Sequence, residues 1–185
     1  MHSEPPSPTE AATTGAAVPA STLIHLHRAL RKEVGALAAI HALHDAGYAT
    51  GDHFFRELEQ WWGEAPEGLQ QDRFWKVLGE YFASKGWGDL SHESIHPGVG
   101  MLRARAWGES DPAASEAQPN CAFSSGLLTH ILGRVAGGAV AVLETACRSR
   151  GDDECRFLFG SEPAIHEIYG LLLADESLEA ALERL

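Results

Sequence analysis

The sequence predicts a single-domain α+β fold, because helical patterns fill the first half of the 185-residue chain and strand patterns follow them. Apolar residues recur at spacings of three and four through residues 23–43 and again through residues 70–85, which is typical of amphipathic helices. Two apolar segments, residues 139–148 and 154–159, flank a Gly-Asp turn signal and indicate a β-hairpin. The length suits one domain with a full core.

The chain begins with residues 1–20, which are rich in Pro, Ala, Ser and Thr and are expected to form a disordered tail. We expect residues 21–185 to form the domain. Ser21 or Thr22 can cap the first helix, and Gly47 is expected to end it. The apolar face of this helix should be buried, and it consists of Leu23, Leu26, Leu30, Val34, Leu37, Ile40 and Leu43.

Two further helices are predicted at residues 52–63 and 70–85, both amphipathic. A turn follows at Gly86-Trp87-Gly88, where the pattern changes from helix to sheet. The strand predicted after that turn carries the apolar residues Val99, Leu102, Ala104 and Ala106.

The last helices flank the predicted hairpin. Residues 123–136 are predicted to form a helix that ends at Gly137-Gly138, directly before the first hairpin strand. Residues 163–185 then complete the domain as one or two helices.

Composition argues against several classes of function. With 14 basic and 26 acidic residues, the formal charge of -12 would repel phosphate backbones, so direct nucleic-acid binding is not expected. No apolar stretch is long enough to span a membrane and no secretory signal pattern is present, which predicts a soluble cytoplasmic protein. The sequence contains no nucleophile elbow, P-loop or dinucleotide fingerprint, and we find no catalytic constellation in it.

The three cysteines carry the clearest chemical signal, because disulfides are not expected in a reducing cytoplasm. If the hairpin turn is centred near Gly151, Cys147 lies opposite Cys155, with Cβ atoms about 4.5–5.5 Å apart. Glu144 precedes Cys147 by three positions, so its carboxylate reaches the same side only through a bulge. Two such thiols suit a shared metal, although buried cysteines also pack as small hydrophobes and Glu144 could pair with Arg148.

Cys121 stands directly before the helix that leads into the hairpin, and a helix-then-strand return can bring it beside the strand end. The spacing of these residues resembles the zinc site of 4-vinyl reductase domains, which would consist here of Cys121, Glu144, Cys147 and Cys155. The resemblance includes Gly126, the E-x-x-C and C-x-F motifs and the Gly-Asp turn; it is strong over residues 121–157 and extends over roughly 22–172. Three thiolates and one carboxylate form a closed tetrahedral shell that prefers zinc, which implies a structural ion.

The resemblance also carries expectations about fold and function. The family includes aromatic-sensing input domains of phenol-responsive bacterial regulators and proteins associated with bacteriochlorophyll synthesis. Its fold is similar to that of small vesicle-tethering complex subunits, which implies about four antiparallel strands packed against several helices, and frequent dimerisation. We therefore expect a zinc-containing sensor or carrier of a small hydrophobic or aromatic molecule, acting as a homodimer with a separate signalling partner.

The ligand pocket is expected between the third helix and the sheet, where apolar residues predominate. Its predicted lining consists of Phe74, Leu78, Phe82, Trp87 and Val142, the last because it resembles a pocket position of the phenol-sensing relatives. The His and Trp that hold the phenol hydroxyl in those relatives have no clear counterparts here. His92 or His96, which precede the first predicted strand, could hydrogen-bond a ligand.

Two other functions are compatible with the sequence. The family name implies an enzyme or accessory factor of tetrapyrrole vinyl reduction, for which a reductant would have to come from elsewhere because no nucleotide motif is present. The resemblance to tethering subunits implies instead a dimeric adaptor whose pocket is collapsed and takes no ligand.

Overall fold

The computed structural model describes residues 18–19, 21–62 and 70–185. Most of the predicted tail lies outside the described residues, as does Gly63, the predicted end of the second helix. Within the described residues, six helices and one four-stranded antiparallel sheet confirm the α+β fold class. None of the helices in these ranges combines the length and apolar character that crossing a membrane requires.

The helices and strands follow one another in this order along the chain: α1 Ser21–Val34, α2 Ala36–Trp62, α3 Gln71–Ser84, β1 Asp89–His96, β2 Val99–Arg105, α4 Ala122–Ala136, β3 Ala141–Ala146, β4 Cys155–Gly160, α5 Glu162–Leu173 and α6 Leu178–Leu182. The strands pair in the order β1-β2-β4-β3, so β1 and β3 form the two edges of the sheet.

The sheet lies between two helical layers. On one face, Leu78 of α3 and Leu128 of α4 pack in the larger core with Phe157 of β4. On the other face, Ile168 of α5 packs in a smaller core with Leu158 of β4. Because successive side chains of a strand point to opposite faces, a strand buried on both sides is apolar at consecutive positions, as β4 is at residues 157–159.

The predicted end of the first helix at Gly47 is wrong. The helix breaks earlier, at Gly35 with φ 85°, and α2 continues through Gly47 and Gly51. Both glycines lie where α4 crosses α2: a Cβ on Gly47 would strike the carbonyl oxygen of Phe123, and one on Gly51 would strike the ring of His130. These glycines permit close helix packing, which a pattern within one helix does not reveal.

The sequence analysis also missed β1 and placed His92 and His96 before the first strand, whereas both belong to β1. This edge strand has the polar sequence DLSHESIH and lacks the clear apolar alternation that predicts a strand. The next strand, β2, ends at Arg105, one residue earlier than predicted, because Ala106 adopts a left-handed conformation with φ 48°.

The predicted hairpin is confirmed as β3 and β4, which pair antiparallel. Its turn contains a 3₁₀ segment at Arg148–Arg150 and then Gly151, which has φ 101°. The strand register shifts between Glu144 and Ala146, so the bulge that the sequence required is present. This irregularity lies directly before the cysteines at the ends of the paired strands.

Candidate functional site

Three cysteines and one glutamate meet where the hairpin approaches the start of α4. Cys121 is the residue before α4, Glu144 belongs to β3, Cys147 follows β3 and Cys155 begins β4. All three cysteines are fully buried. One ligand atom from each of the four residues lies within 4.8 Å of all the others, so the cluster could hold a single metal ion. The structure thus brings together the four residues that the sequence proposed as ligands.

The distances within this cluster leave one acceptor without a partner. Cys121 Sγ lies 3.7 Å from Cys147 Sγ and 3.8 Å from Cys155 Sγ. The Cys121 backbone N–H donates to Glu144 Oε2 at 2.7 Å, whereas Glu144 Oε1 is buried and has no hydrogen-bond partner. Because an unsatisfied buried polar group costs about 1–3 kcal/mol, a positive or donating group beside Glu144 Oε1 would stabilise the cluster.

The pKa shifts within the cluster also favour a bound cation. Burial raises the pKa of the Cys121 thiol well above its usual range, and burial also raises the pKa of the Glu144 carboxyl. Hydrogen bonds from Cys121 and then Cys155 lower the pKa of Cys147. Four adjacent anions would repel one another strongly in this dry environment, so full ionisation of the cluster requires a cation.

The backbone around the cluster is held by neighbouring polar side chains. Asp152 Oδ2 accepts a hydrogen bond from the Cys147 N–H at 2.8 Å, and the Ser125 hydroxyl donates to the Cys121 carbonyl at 3.0 Å. The Ser149 hydroxyl accepts from the Asp111 N–H at 2.8 Å, which joins the hairpin turn to the loop before α4. The candidate ligands are therefore held in position by contacts in addition to any ion.

A second buried carboxylate, Glu109, caps α4 beside the cluster. Its two oxygens accept from the Phe123 N–H at 2.9 Å, the Ser124 N–H at 2.7 Å and the Ser124 hydroxyl at 2.5 Å. Trp107 Nε1 donates to the same hydroxyl at 2.8 Å. The sequence analysis missed this contact because Cys121, which occupies the N-cap position, makes no side-chain cap and the capping group comes from a distant loop.

We predict that Glu109→Gln removes part of the pH dependence of stability. Burial raises the pKa of Glu109 to about 7 from its ordinary 4.5, although the hydrogen bonds from Ser124 lower it. The folded carboxyl therefore keeps its proton to a higher pH than the unfolded one, and this stabilisation, complete below pH 4.5, is lost as the pH rises to about 7.

Between these two pH values, the free energy of unfolding of the natural protein should fall by on the order of 3 kcal/mol relative to that of Glu109→Gln. Urea unfolding of both proteins at matched pH values measures this difference. If the difference in free energy of unfolding between the two proteins did not change with pH, the three hydrogen-bond donors, and not burial, would determine the pKa of Glu109.

The predicted pocket residues all belong to, or pack against, the larger core. Phe74, Leu78 and Phe82 are 4%, 1% and 0% exposed, and they lie on the buried side of α3. Trp87 is half-buried, with its ring 6.1 Å from that of Phe82. Val142 packs against the same core from β3. These residues form one apolar cluster between α3 and the sheet.

An aromatic cluster that the sequence analysis did not identify adjoins this lining. Trp75 stacks on His92 with ring centroids 4.1 Å apart, and its ring lies 5.3 Å from that of Phe159. Trp75 Nε1 is buried without an acceptor. Between α3 and β1, beside Trp75 and His92, is a depression of about 400 Å³. The sequence analysis could not place Trp75 beside His92, because it did not recognise β1, the strand that contains His92.

Comparison with known proteins connects the site to a family. Residues 109–161 match the family model of the 4-vinyl reductase domain, so the resemblance to this family is confirmed. This segment contains all four candidate metal ligands and the helix between the first two. No curated protein matches the chain by comparison.

Two of the solved structures that match this chain illustrate the shared fold. The chain is similar to the phenol-responsive sensory domain of the transcription activator PoxR with phenol, at a TM-score of 0.65 and 13% identity, over 80% of this chain and 76% of that one. It is also similar to trafficking protein particle complex subunit 3 from Naegleria fowleri covalently bound to palmitic acid, at a TM-score of 0.57 and 14% identity, over 76% of this chain and 91% of that one. The expected similarity of fold to both groups is confirmed.

Proposed function

We propose that this chain, whose residues 109–161 match the 4-vinyl reductase domain, is a zinc-containing domain that binds a small hydrophobic or aromatic molecule as a sensor or carrier. The observation that carries the proposal is the convergence of four ligand atoms within 4.8 Å at the hairpin beside the apolar cluster. As a sensor it would act as a cytoplasmic homodimer and pass its signal to a separate protein partner.

The choice of zinc follows from the sulfur geometry and the donor set. A tetrahedral ion with Zn–S bonds of about 2.3 Å separates its sulfur ligands by about 3.8 Å. The Cys121 sulfur lies 3.7 and 3.8 Å from the other two sulfurs, which leaves room for such an ion between them. Glu144 Oε1, buried without a donor, supplies the fourth ligand. A shell closed by four protein ligands supports a structural role.

The proposed ion would also stabilise the wall of the ligand site. Glu144 and Val142 are two positions apart on β3, so their side chains point to the same face of the sheet. Val142 pairs with Phe159 across the hairpin, and Phe159 contacts Trp75. An ion that holds Glu144 in place therefore also restricts the residues beside the aromatic cluster.

The polar groups of that cluster favour an aromatic ligand that carries a hydroxyl. Trp75 Nε1 can donate to a ligand oxygen and would gain the acceptor that it lacks. Burial lowers the pKa of His92, so its ring favours the neutral form, which can accept a hydrogen bond donated by a ligand hydroxyl. Gly79, Ala83 and Leu90 would supply apolar surface, because they line the depression beside Trp75 and His92. The predicted lining residues belong to or pack against the adjoining core and do not line this depression; they are Phe74, Leu78, Phe82, Trp87 and Val142.

Native mass spectrometry combined with phenol titration tests this proposal. Protein purified without added zinc should carry one zinc per chain. Trp75→Phe should weaken phenol binding by about five- to tenfold, since it keeps the ring but removes one hydrogen bond. The matched control is Trp61→Phe on α2, where the side chain is 48% exposed and phenol affinity should not change.

Two outcomes would contradict the proposal. Fewer than about 0.2 zinc per chain, with no loss of stability on chelation, would exclude the structural ion. Equal phenol affinities for the natural protein and Trp75→Phe would exclude the indole as a ligand contact, and no measurable phenol binding would exclude a phenol site.

A further inference from the structure

Helix α1 is attached to the rest of the domain with little burial. All 14 of its residues are described, and of these only His27 is buried, at 4% exposure. Leu26 and Val34, which the sequence pattern predicts to be buried, are 45% and 53% exposed. A helix that belongs to a core normally buries an apolar stripe, so α1 contributes little to the core. Elements with few buried apolar contacts open more readily than the rest of a fold.

Two ion pairs hold α1 against the loop between β2 and α4. Arg28 pairs with Asp111, and Arg31 pairs with Glu116. The two arginine side chains are 57% and 37% exposed, so salt screens both pairs and each contributes little to stability. This attachment is therefore weak and largely electrostatic.

The same loop is joined directly to the hairpin turn that follows Cys147. The Asp111 N–H donates to the Ser149 hydroxyl at 2.8 Å, and the Glu116 N–H donates to the Ser149 carbonyl at 3.0 Å. Ser149 is 1% exposed and lies two residues after Cys147. The two loop residues that pair with the arginines of α1 are thus the two that bind the turn beside the cysteine cluster.

His27 places the middle of α1 near that cluster. Burial and then the charge of Arg31 lower the pKa of His27, while the charges of Glu116 and Cys147 act in the opposite direction. Because a charge shifts a pKa appreciably only at short range, His27 lies near both the loop and the cluster. Its Nε2 is buried and has no hydrogen-bond partner among the described residues, so movement of α1 away from the domain would let this nitrogen reach water.

A hinge is present at the end of α1. Gly35 separates α1 from α2 with φ 85°, and a Cβ added to it would meet nothing within 4 Å. Its N–H donates to the Arg31 carbonyl and its carbonyl accepts from the Ala39 N–H, both at 3.1 Å. Because glycine adopts either sign of φ readily, rotation at Gly35 can move α1 while α2 stays in place.

We propose that α1 is a releasable arm that pivots at Gly35 and shields the cysteine cluster while it is docked. Release breaks the two ion pairs, removes His27 from its buried position and makes the side of Cys147 that faces α1 reachable from solvent. It affects the cluster residues whether or not they hold an ion, so the arm is independent of the proposed zinc and of the small ligand.

Hydrogen exchange of the full chain and iodoacetamide labelling of its thiols in the presence of a chelator test the arm. In Arg28→Gln/Arg31→Gln, the amides of α1 should exchange about three- to tenfold faster than in the natural protein, because two partly exposed ion pairs are lost. Labelling of the cysteines should accelerate by the same factor, since both rates report release of α1. If chelation unfolds the protein, the rate at which the chelator removes the metal replaces the labelling rate and should show the same factor.

Urea separates release of the arm from global unfolding. Release of one helix exposes little surface, so the labelling or metal-removal rate of the natural protein should rise only slightly with urea below the unfolding transition. A rise as steep as that of global unfolding would overturn the proposal, because the cluster would then be reached only in the unfolded chain.

Arg56→Gln/Arg184→Gln is the matched control. It removes the same charge and two exposed ion pairs, with Asp52 and Glu176, that lie outside α1 and its loop. Exchange of α1 and labelling of the thiols should both keep their natural rates in this control. Faster exchange of α1 in Arg28→Gln/Arg31→Gln without faster labelling would overturn the shielding role, and unchanged exchange of α1 would overturn the ion pairs as its attachment.

Discussion

Replacing Cys147 by serine is expected to abolish metal binding and to lower the free energy of unfolding by about 3–5 kcal/mol. The candidate ion would connect the start of α4 to the adjoining ends of β3 and β4. The start of α4 is separated from these strand ends by the whole of α4 and β3. An ion of this kind binds the folded state and not the unfolded chain, so its binding free energy contributes directly to stability.

The loss should be large because the remaining ligands cannot adapt. Cys121 and Cys155 are fully buried, and Glu144 Oε1 already lacks a donor. Without a cation these groups must take up protons or remain as uncompensated charges in a dry environment. Serine preserves the backbone and nearly preserves the volume, so the measured loss reports the metal bond and not a cavity.

Urea unfolding in the presence and absence of a chelator measures this effect. Chelation should lower the stability of the natural protein toward that of Cys147→Ser and leave the variant unchanged. The control is Ser125→Ala, which removes the hydrogen bond to the Cys121 carbonyl but no ligand, and should cost only about 1 kcal/mol. Equal stability of Cys147→Ser and the natural protein before chelation would exclude a structural ion at this cluster.

Gly126→Ala is expected to destabilise the protein by about 3 kcal/mol, although alanine is the better helix former. Gly126 lies on α4 where that helix crosses α2, and an added Cβ would strike the carbonyl oxygen of His44 and approach the Tyr48 nitrogen to 2.9 Å. Both obstacles belong to the backbone and cannot move aside without separating the two helices. Gly47 makes the reciprocal close approach from α2 to Phe123.

Gly170→Ala is the matched control, because Gly170 lies inside α5 and an added Cβ would meet nothing within 4 Å. This substitution should be neutral or stabilise the protein by about 0.5–1 kcal/mol. Thermal unfolding of both variants gives the comparison. Equal melting temperatures for the two variants would show that α2 and α4 are not in close backbone contact.

The two predictions concern the same helix, which positions most of the candidate site. The cluster fixes the beginning of α4 through Cys121, Glu109 caps that beginning, and Gly126 sets its distance from α2. The Gly126→Ala variant should therefore also weaken metal retention, since the displaced helix carries Cys121 with it.

Local spacing explains why the metal cluster could be predicted in detail. In a hairpin, the turn sets which residues face each other, so the positions of Cys147 and Cys155 followed from the turn near Gly151. The choice of Glu144 depended mainly on resemblance; as a ligand it required a bulge, because it lies an odd number of positions before Cys147, and the strand register contains one. The position of Cys121 depended on resemblance, because a helix intervenes between it and the hairpin.

The sequence by itself determined the α+β class and the hairpin, because these depend on residues that are close along the chain. Tertiary structure alone decided that Gly47 lies within α2, that Trp75 stacks on His92, and that Leu37 is left exposed. Each of these depends on which distant element lies against the residue. Periodicity identifies the apolar side of a helix, but packing between elements decides what covers that side.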